Sequence, residues 1–253
     1  MTSNPIAECC TVPLRHDGEL AGTMMMIGET HAYVSEPSTQ TPPTAAILCL
    51  PDGFGLSNNV KLLADRFAAQ GYLALLPDLF EGDPFPDPRP ADFNLQAWLN
   101  SGGPSGKGHL PDTVGPIVEA AIRWLKEEKK ISKIGGTGYC FGGKYVVRYL
   151  RNSFIDVGFV AHPTNATPAE LLAIDGPLSI AAAELDPVFT QEKRVESENI
   201  LRENKKSLPW HISLYSGVAH GFAVRADRAI EKERWAMDQA HEQAVAWMKE
   251  YLK

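Results

Sequence analysis

Lys133-Ile134-Gly135-Gly136-Thr137-Gly138-Tyr139-Cys140-Phe141-Gly142-Gly143-Lys144 decides how this chain folds. Lys133 to Thr137 reads as a short buried strand, and Lys144 to Leu150 as a helix packing one side inward. Between them, Gly138 to Gly143 has the form of a nucleophile elbow with cysteine where serine is usual. Such a sharp strand-to-helix turn presents its central side chain in a strained, exposed pose. Its neighbours must be small because strand and helix approach closely there. The turn also sets the sulfur at a helix N-terminus, where the dipole and free N–H groups favour thiolate. Two other readings compete. The stretch nearly matches the phosphate-cradling G-x-x-x-x-G-K-[ST], but Tyr145 stands where Ser or Thr would ligate Mg²⁺. A buried structural thiol beside packing glycines is the plainer alternative.

Outward from the elbow, strands and helices alternate. Ala45 to Leu50 and Tyr72 to Pro77 are continuous apolar runs of the kind a strand covered on both faces shows. A helical pattern runs from about Asn58 to Gln70, and another from Val114 to Leu125. Ile155 to Ala161, Leu178 to Leu185 and Trp210 to Tyr215 are further strands, with a polar helix over about 190–206. Ala226 to Leu252 reads as an amphipathic helix burying Trp235, Trp247 and Met248. At the start, Cys10 to Leu14 and Thr30 to Ser35 read as an opening meander turning at Asp17-Gly18. This rhythm predicts one α/β domain over 1–253, built on a mainly parallel, doubly wound sheet. Residues 81–111 are irregular and rich in Pro and Gly, with a short helix around Phe93 to Leu99. A long loop of that kind inside a compact domain suggests a lid.

The bulk properties narrow the function. The chain has 253 residues, 44% of them hydrophobic, enough for a full core. A net charge of −7 argues against nucleic acid or anionic membrane as the main partner. No apolar stretch approaches the length of a membrane span, and the N-terminus lacks a basic start followed by an apolar segment. With four cysteines and no C-x-x-C or H-E-x-x-H, neither a metal site nor a cofactor is expected, and a reducing cytoplasmic setting fits. The meander edge and the final helix offer surfaces for a homodimer.

Sites in such a sheet lie beyond the carboxyl ends of the strands. That rule selects Asp52 and Gly53, Asp78, Cys140, His162, Asp186 and His220. Nucleophile, acid and base then follow in the order Cys140, Asp186, His220, the chain order of the α/β-hydrolase arrangement. A thiol needs a base within hydrogen-bond reach, and the imidazole needs a carboxylate to fix its tautomer. Asp186 could instead cap a helix after Pro187. His162 is a rival base, more readily seen lining the pocket because it precedes the acid and is followed by proline. The N–H groups of Phe141 and Gly53 are the natural oxyanion donors. Asp52, beside one of them, is positioned to meet the cysteine.

These residues resemble the dienelactone hydrolase family of α/β-hydrolases over roughly 30–250, with an Asn4 to Cys10 opening similar to fungal members. The resemblance rests on Gly138 to Gly143, Asp186-Pro187, Ala219-His220-Gly221-Phe222 and Asp52-Gly53-Phe54-Gly55. It implies the α/β-hydrolase fold and a Cys140–Asp186–His220 triad whose thiol stays shielded until substrate binds. It also implies a carboxylate at Asp52, one methylene shorter than the family's usual Glu. Bacterial members clamp a substrate carboxylate with two arginines. Here one position falls in Pro77 to Gly82, without arginine, and Arg225 lies one place from the other. The expected substrate is therefore an uncharged or bulkier lactone, ester or thioester. Phe54, Phe80, Phe222 and Arg225 are expected to support the pocket, with Phe85, Phe93 and Trp98 covering it. Two rival functions remain: a secondary-metabolite tailoring enzyme that closes rings or releases product, and a non-catalytic ligand-binding or redox-sensing protein.

Overall fold

The computed structural model describes residues 16–39, 42–88, 90–102, 106–204 and 207–253. Eight strands form one sheet: β1 (Thr23–Ile27), β2 (Thr30–Ser35), β3 (Ala45–Leu50), β4 (Leu73–Pro77), β5 (Lys133–Tyr139), β6 (Val157–Ala161), β7 (Leu178–Leu185) and β8 (Trp210–Ala219). Their order is β1-β2-β4-β3-β5-β6-β7-β8, antiparallel where β2 meets β1 and β4, and parallel from β4 to β8. This is the α/β-hydrolase-like, mostly parallel sheet that the alternating pattern predicts.

Alternation along each central strand divides its apolar side chains between two layers. From β3, Leu48 and Leu50 join the layer with Val118, Ile122 and Leu125 of α3 (Pro111–Glu127) and Val146 of α4 (Phe141–Tyr149). Ile47 and Cys49 face the other layer, with Phe67 of α1 (Asn58–Ala68) and Ala240, Ala244 and Met248 of α8 (Glu231–Tyr251). Four further segments complete the described helices: α2 (Leu95–Ser101), α5 (Pro168–Ala173), α6 (Gln191–Asn204) and α7 (Phe222–Arg225). None of these helices is long and apolar enough to cross a membrane.

Four features differ from the sequence reading. Cys10 to Leu14 lies outside the described residues; β2 pairs with Thr23–Ile27, a strand the sequence reading did not name, through a turn at Gly28-Glu29. Four of the five β1 side chains are exposed, so no in–out alternation marks the strand. Trp235 is 58% exposed rather than buried, its ring 6.3 Å from that of Tyr215. The final helix starts at Glu231 because Ala226 leaves helical geometry (φ −56°, ψ 143°) after the single turn of α7. The missed helix α5 carries a readable signal, a capping box in which Thr167 and Glu170 bond reciprocally.

His241 of α8 is only 3% exposed and packs on the Phe67 ring at 4.8 Å. Burial first, then the nearby Arg66 charge, pulls its pKa down from 6.5 to about 3. The unfolded chain therefore takes up a proton near pH 6.5 that the folded chain refuses until about pH 3. Stability from this group is complete above pH 6.5 and is lost as pH falls through that window. Replacing His241 with leucine should flatten the loss of urea stability between pH 6.5 and 4 by up to a few kcal/mol; an unchanged slope would contradict this.

Candidate active site

β5 ends at Tyr139 and α4 begins at Phe141, so Cys140 alone makes the turn. It holds φ 50° and ψ −109°, a conformation costing about 1–3 kcal/mol that persists only where the surroundings over-determine it. Here they do. The Cys140 N–H donates to the Ala161 carbonyl at 3.1 Å, and its own carbonyl accepts from Thr164 at 3.0 Å and Gly143 at 3.2 Å. Next to it, the Gly142 N–H donates to the Pro51 carbonyl at 2.9 Å. A Cβ on Gly142 would lie 2.2 Å from the Leu50 carbonyl oxygen, so only glycine lets α4 start this close to the end of β3. Cys140 itself is fully buried.

The acid and the imidazole meet through strand register. β7 and β8 pair regularly to Ala183 and Tyr215, and after an irregularity Leu185 stands opposite Ala219. The extra β8 residues include Gly217 at φ 68°, whose N–H donates to Glu184 Oε2 at 2.7 Å. The next residue on each parallel strand is then Asp186 beside His220. His220 Nδ1 donates to both carboxylate oxygens at 3.0 Å, and both side chains are buried. Since a carboxylate only accepts, this fixes the Nδ1–H tautomer and makes Nε2 the basic nitrogen. Asp186 Oδ1 also accepts from the Val188 and Phe189 N–H groups at 2.8 and 3.0 Å. The capping geometry considered for Asp186 thus coexists with its contact to the imidazole.

His162 follows β6, is fully buried, and sets its ring edge-on to His220 at 4.9 Å and to Phe222 at 5.7 Å. Asp52 and Arg225 form a buried ion pair through Asp52 Oδ2 and a guanidinium nitrogen. Arg225 also lies over the Phe54 ring at 5.0 Å. So the arginine that stands one place from the family position does reach this rim, with its charge balanced by Asp52. Asp78, where the other arginine would be sought, caps the Phe80 and Gly82 N–H groups instead. Neither the Gly53 nor the Phe141 N–H is taken by a backbone carbonyl among the described residues. Phe80 packs on Phe141 at 5.0 Å and on Trp98 at 5.2 Å.

Sequence reasoning missed His109. It is buried, stacks on Trp98 at 4.1 Å and pairs with Asp83 at 2.9 Å. A lone histidine in a Pro- and Gly-rich stretch gives no signal of this. The phosphate-loop reading fails on geometry, because Lys144 Nζ bonds the Asn165 carbonyl and both Glu170 oxygens at 2.9 Å. Cys49, the other described thiol, is buried on the far layer, where burial pushes it up to about 12 and leaves it an inert packing group.

The sequence profile of the dienelactone hydrolase family matches residues 30–252. The chain belongs to that family. Over its whole length it is 47% identical to hydrolase pyvD of Aspergillus violaceofuscus, covering 100% of both chains. It is 44% identical to hydrolase tropI of Talaromyces stipitatus, covering 100% of this chain and 99% of that one. In structure it resembles the dienelactone hydrolase of Anabaena variabilis, with a TM-score of 0.65 and 14% identity over 94% of this chain and 100% of that one. Within the family scaffold, the Asp186–His220 contact carries a direct prediction. Asp186→Asn, which cannot hold the Nδ1–H tautomer in the same way, should lower kcat/KM for an activated ester on the order of 10³-fold or more with the fold intact by circular dichroism. A loss within threefold would refute the role.

Proposed function

We propose that the chain is a cysteine hydrolase of an uncharged lactone or activated ester. Its Cys140 thiolate attacks the carbonyl carbon, forming a C–S bond while the carbonyl oxygen becomes an oxyanion held by the Gly53 and Phe141 N–H groups. His220, having taken the thiol proton at Nε2, returns it to the leaving alkoxide as the C–O bond breaks. It then takes a proton from the water that attacks the thioester and returns it to the Cys140 sulfur as the C–S bond breaks, releasing the acid. Asp186 orients and stabilises the imidazolium throughout.

The observation that carries this reading is the bidentate Asp186–His220 contact at the strand end, on the rim where Cys140 makes its strained turn. Similarity to fungal proteins named hydrolases along their full length supports it. An uncharged substrate is favoured because Arg225 is already neutralised by Asp52. The aromatic rings of Phe80, Phe85 and Trp98 favour an apolar body on that substrate.

A second reading draws on the full burial of Cys140, which keeps bulk solvent off the resting sulfur. An internal hydroxyl would then take the acyl group, closing a ring or releasing a product as a tailoring step. Parallel incubation with a lactone and its ring-opened hydroxy ester separates the two directions.

Exposure to p-nitrophenyl esters and simple lactones should give a mass increase equal to the acyl group, located on Cys140. Cys140→Ala should lose turnover by at least 10³-fold. Full esterase and lactonase turnover in Cys140→Ala would overturn the proposal.

A further inference from the structure

Gly53 is the residue whose N–H is offered to the oxyanion, yet glycine is the softest choice of backbone for a donor that must be fixed. Its surroundings supply the missing rigidity. The Gly55 N–H closes a turn onto the Asp52 carbonyl at 3.0 Å, and the Phe54 N–H donates to Asp52 Oδ1 at 3.1 Å. The Gly53 carbonyl accepts from the Phe85 N–H at 2.7 Å. The Phe85 ring lies against the Gly53 α-carbon, so a Cβ there would sit 2.2 Å from ring carbon Cε2. Gly53 is not among the positive-φ glycines, so this ring is what excludes a side chain at position 53.

Phe85 is in turn wedged by its neighbours, edge-on to Phe54 at 5.7 Å and to Phe93 at 5.6 Å, and tilted on Trp98 at 4.5 Å. Trp98 Nε1 donates to the Asp83 carbonyl at 3.0 Å, and the Asp83 carboxylate pairs with His109 at 2.9 Å. A chain of packed rings therefore runs from the 81–111 segment to the turn that carries the donor.

We infer that Phe85 is a positioning residue that holds the Gly53 N–H toward the acyl oxyanion, making the ring cluster of Phe85, Phe93 and Trp98 and the oxyanion site one mechanical unit. The inference rests on acylation of Cys140 as proposed above. Oxyanion donors contribute on the order of 10²–10³ in rate only when correctly placed, so loosening the Gly53 turn acts on the step that creates an oxyanion. Alkylation of the same thiolate by iodoacetamide displaces iodide at a saturated carbon and creates none.

Two rates on Cys140 therefore test the inference, acylation by p-nitrophenyl acetate and alkylation by iodoacetamide. In Phe85→Ala acylation should fall tenfold or more while alkylation changes less than twofold or rises, and Phe85→Leu should fall between. Gly53→Ala should also lose acylation, and the double variant Gly53→Ala/Phe85→Ala should be no slower than the slower single, because the same packing is disturbed twice. Equal losses in both reactions, or unchanged acylation in Phe85→Ala, would overturn the inference. A wild-type protein that is alkylated but never acylated at Cys140 would instead remove the cysteine-hydrolase reading beneath it.

Discussion

The contact between the first turn of α4 and the carbonyl end of β3 is the constraint on which the site depends. Gly142 brings its backbone against the Leu50 and Pro51 carbonyls, where no side chain fits. That closeness goes with the positive φ of Cys140 and sets the start of α4, with the Phe141 N–H, beside the loop after β3 that carries the Gly53 N–H. The strain at Cys140 persists because β6 and the segment after it bond the Cys140 peptide from the other side, through Ala161 and Thr164. Core packing thus fixes the Cys140 backbone and brings the Gly53 and Phe141 peptides to the same rim.

Burial governs the charged groups around that frame. An isolated buried charge is costly, so each needs a partner within hydrogen-bond reach. Asp186 has His220 and two backbone N–H groups, while Asp52 has Arg225 and the Phe54 N–H. One pairing makes a base of an imidazole whose tautomer is fixed. The other removes a positive charge that would otherwise attract an anion, leaving a rim bounded largely by aromatic rings. Membership of the dienelactone hydrolase family is therefore compatible with the uncharged substrate proposed above.

How much of this could be read in the sequence depended on the range of the interaction. The central strands were legible because burial on both faces produces continuous apolar runs, as in Ala45 to Leu50. The elbow was legible because its glycines answer a local demand for space. Strand ends named the residues that gather at one rim, since parallel connectivity puts them there. Strand β1 was not legible, because an edge strand with exposed Met24, Met25 and Met26 has no burial pattern to leave in the sequence. The register irregularity that sets Asp186 beside His220 was invisible too, for it depends on Glu184 and Gly217 across a strand pair. The links from Asp52 to Arg225 and from His109 to Asp83 span 173 and 26 residues, and no local pattern announces either.

The oxyanion site is tested most directly by where an acyl oxygen points once carbon is bonded to Cys140. A crystal structure of the protein inactivated by a small aryl trifluoromethyl ketone would show this. The predicted result is a hemithioketal on Cys140 with its oxygen about 2.7–3.1 Å from both the Gly53 and Phe141 nitrogens and with His220 Nε2 facing the sulfur. An adduct whose oxygen turns away from those two nitrogens, or an inhibitor attached to any other residue, would contradict it.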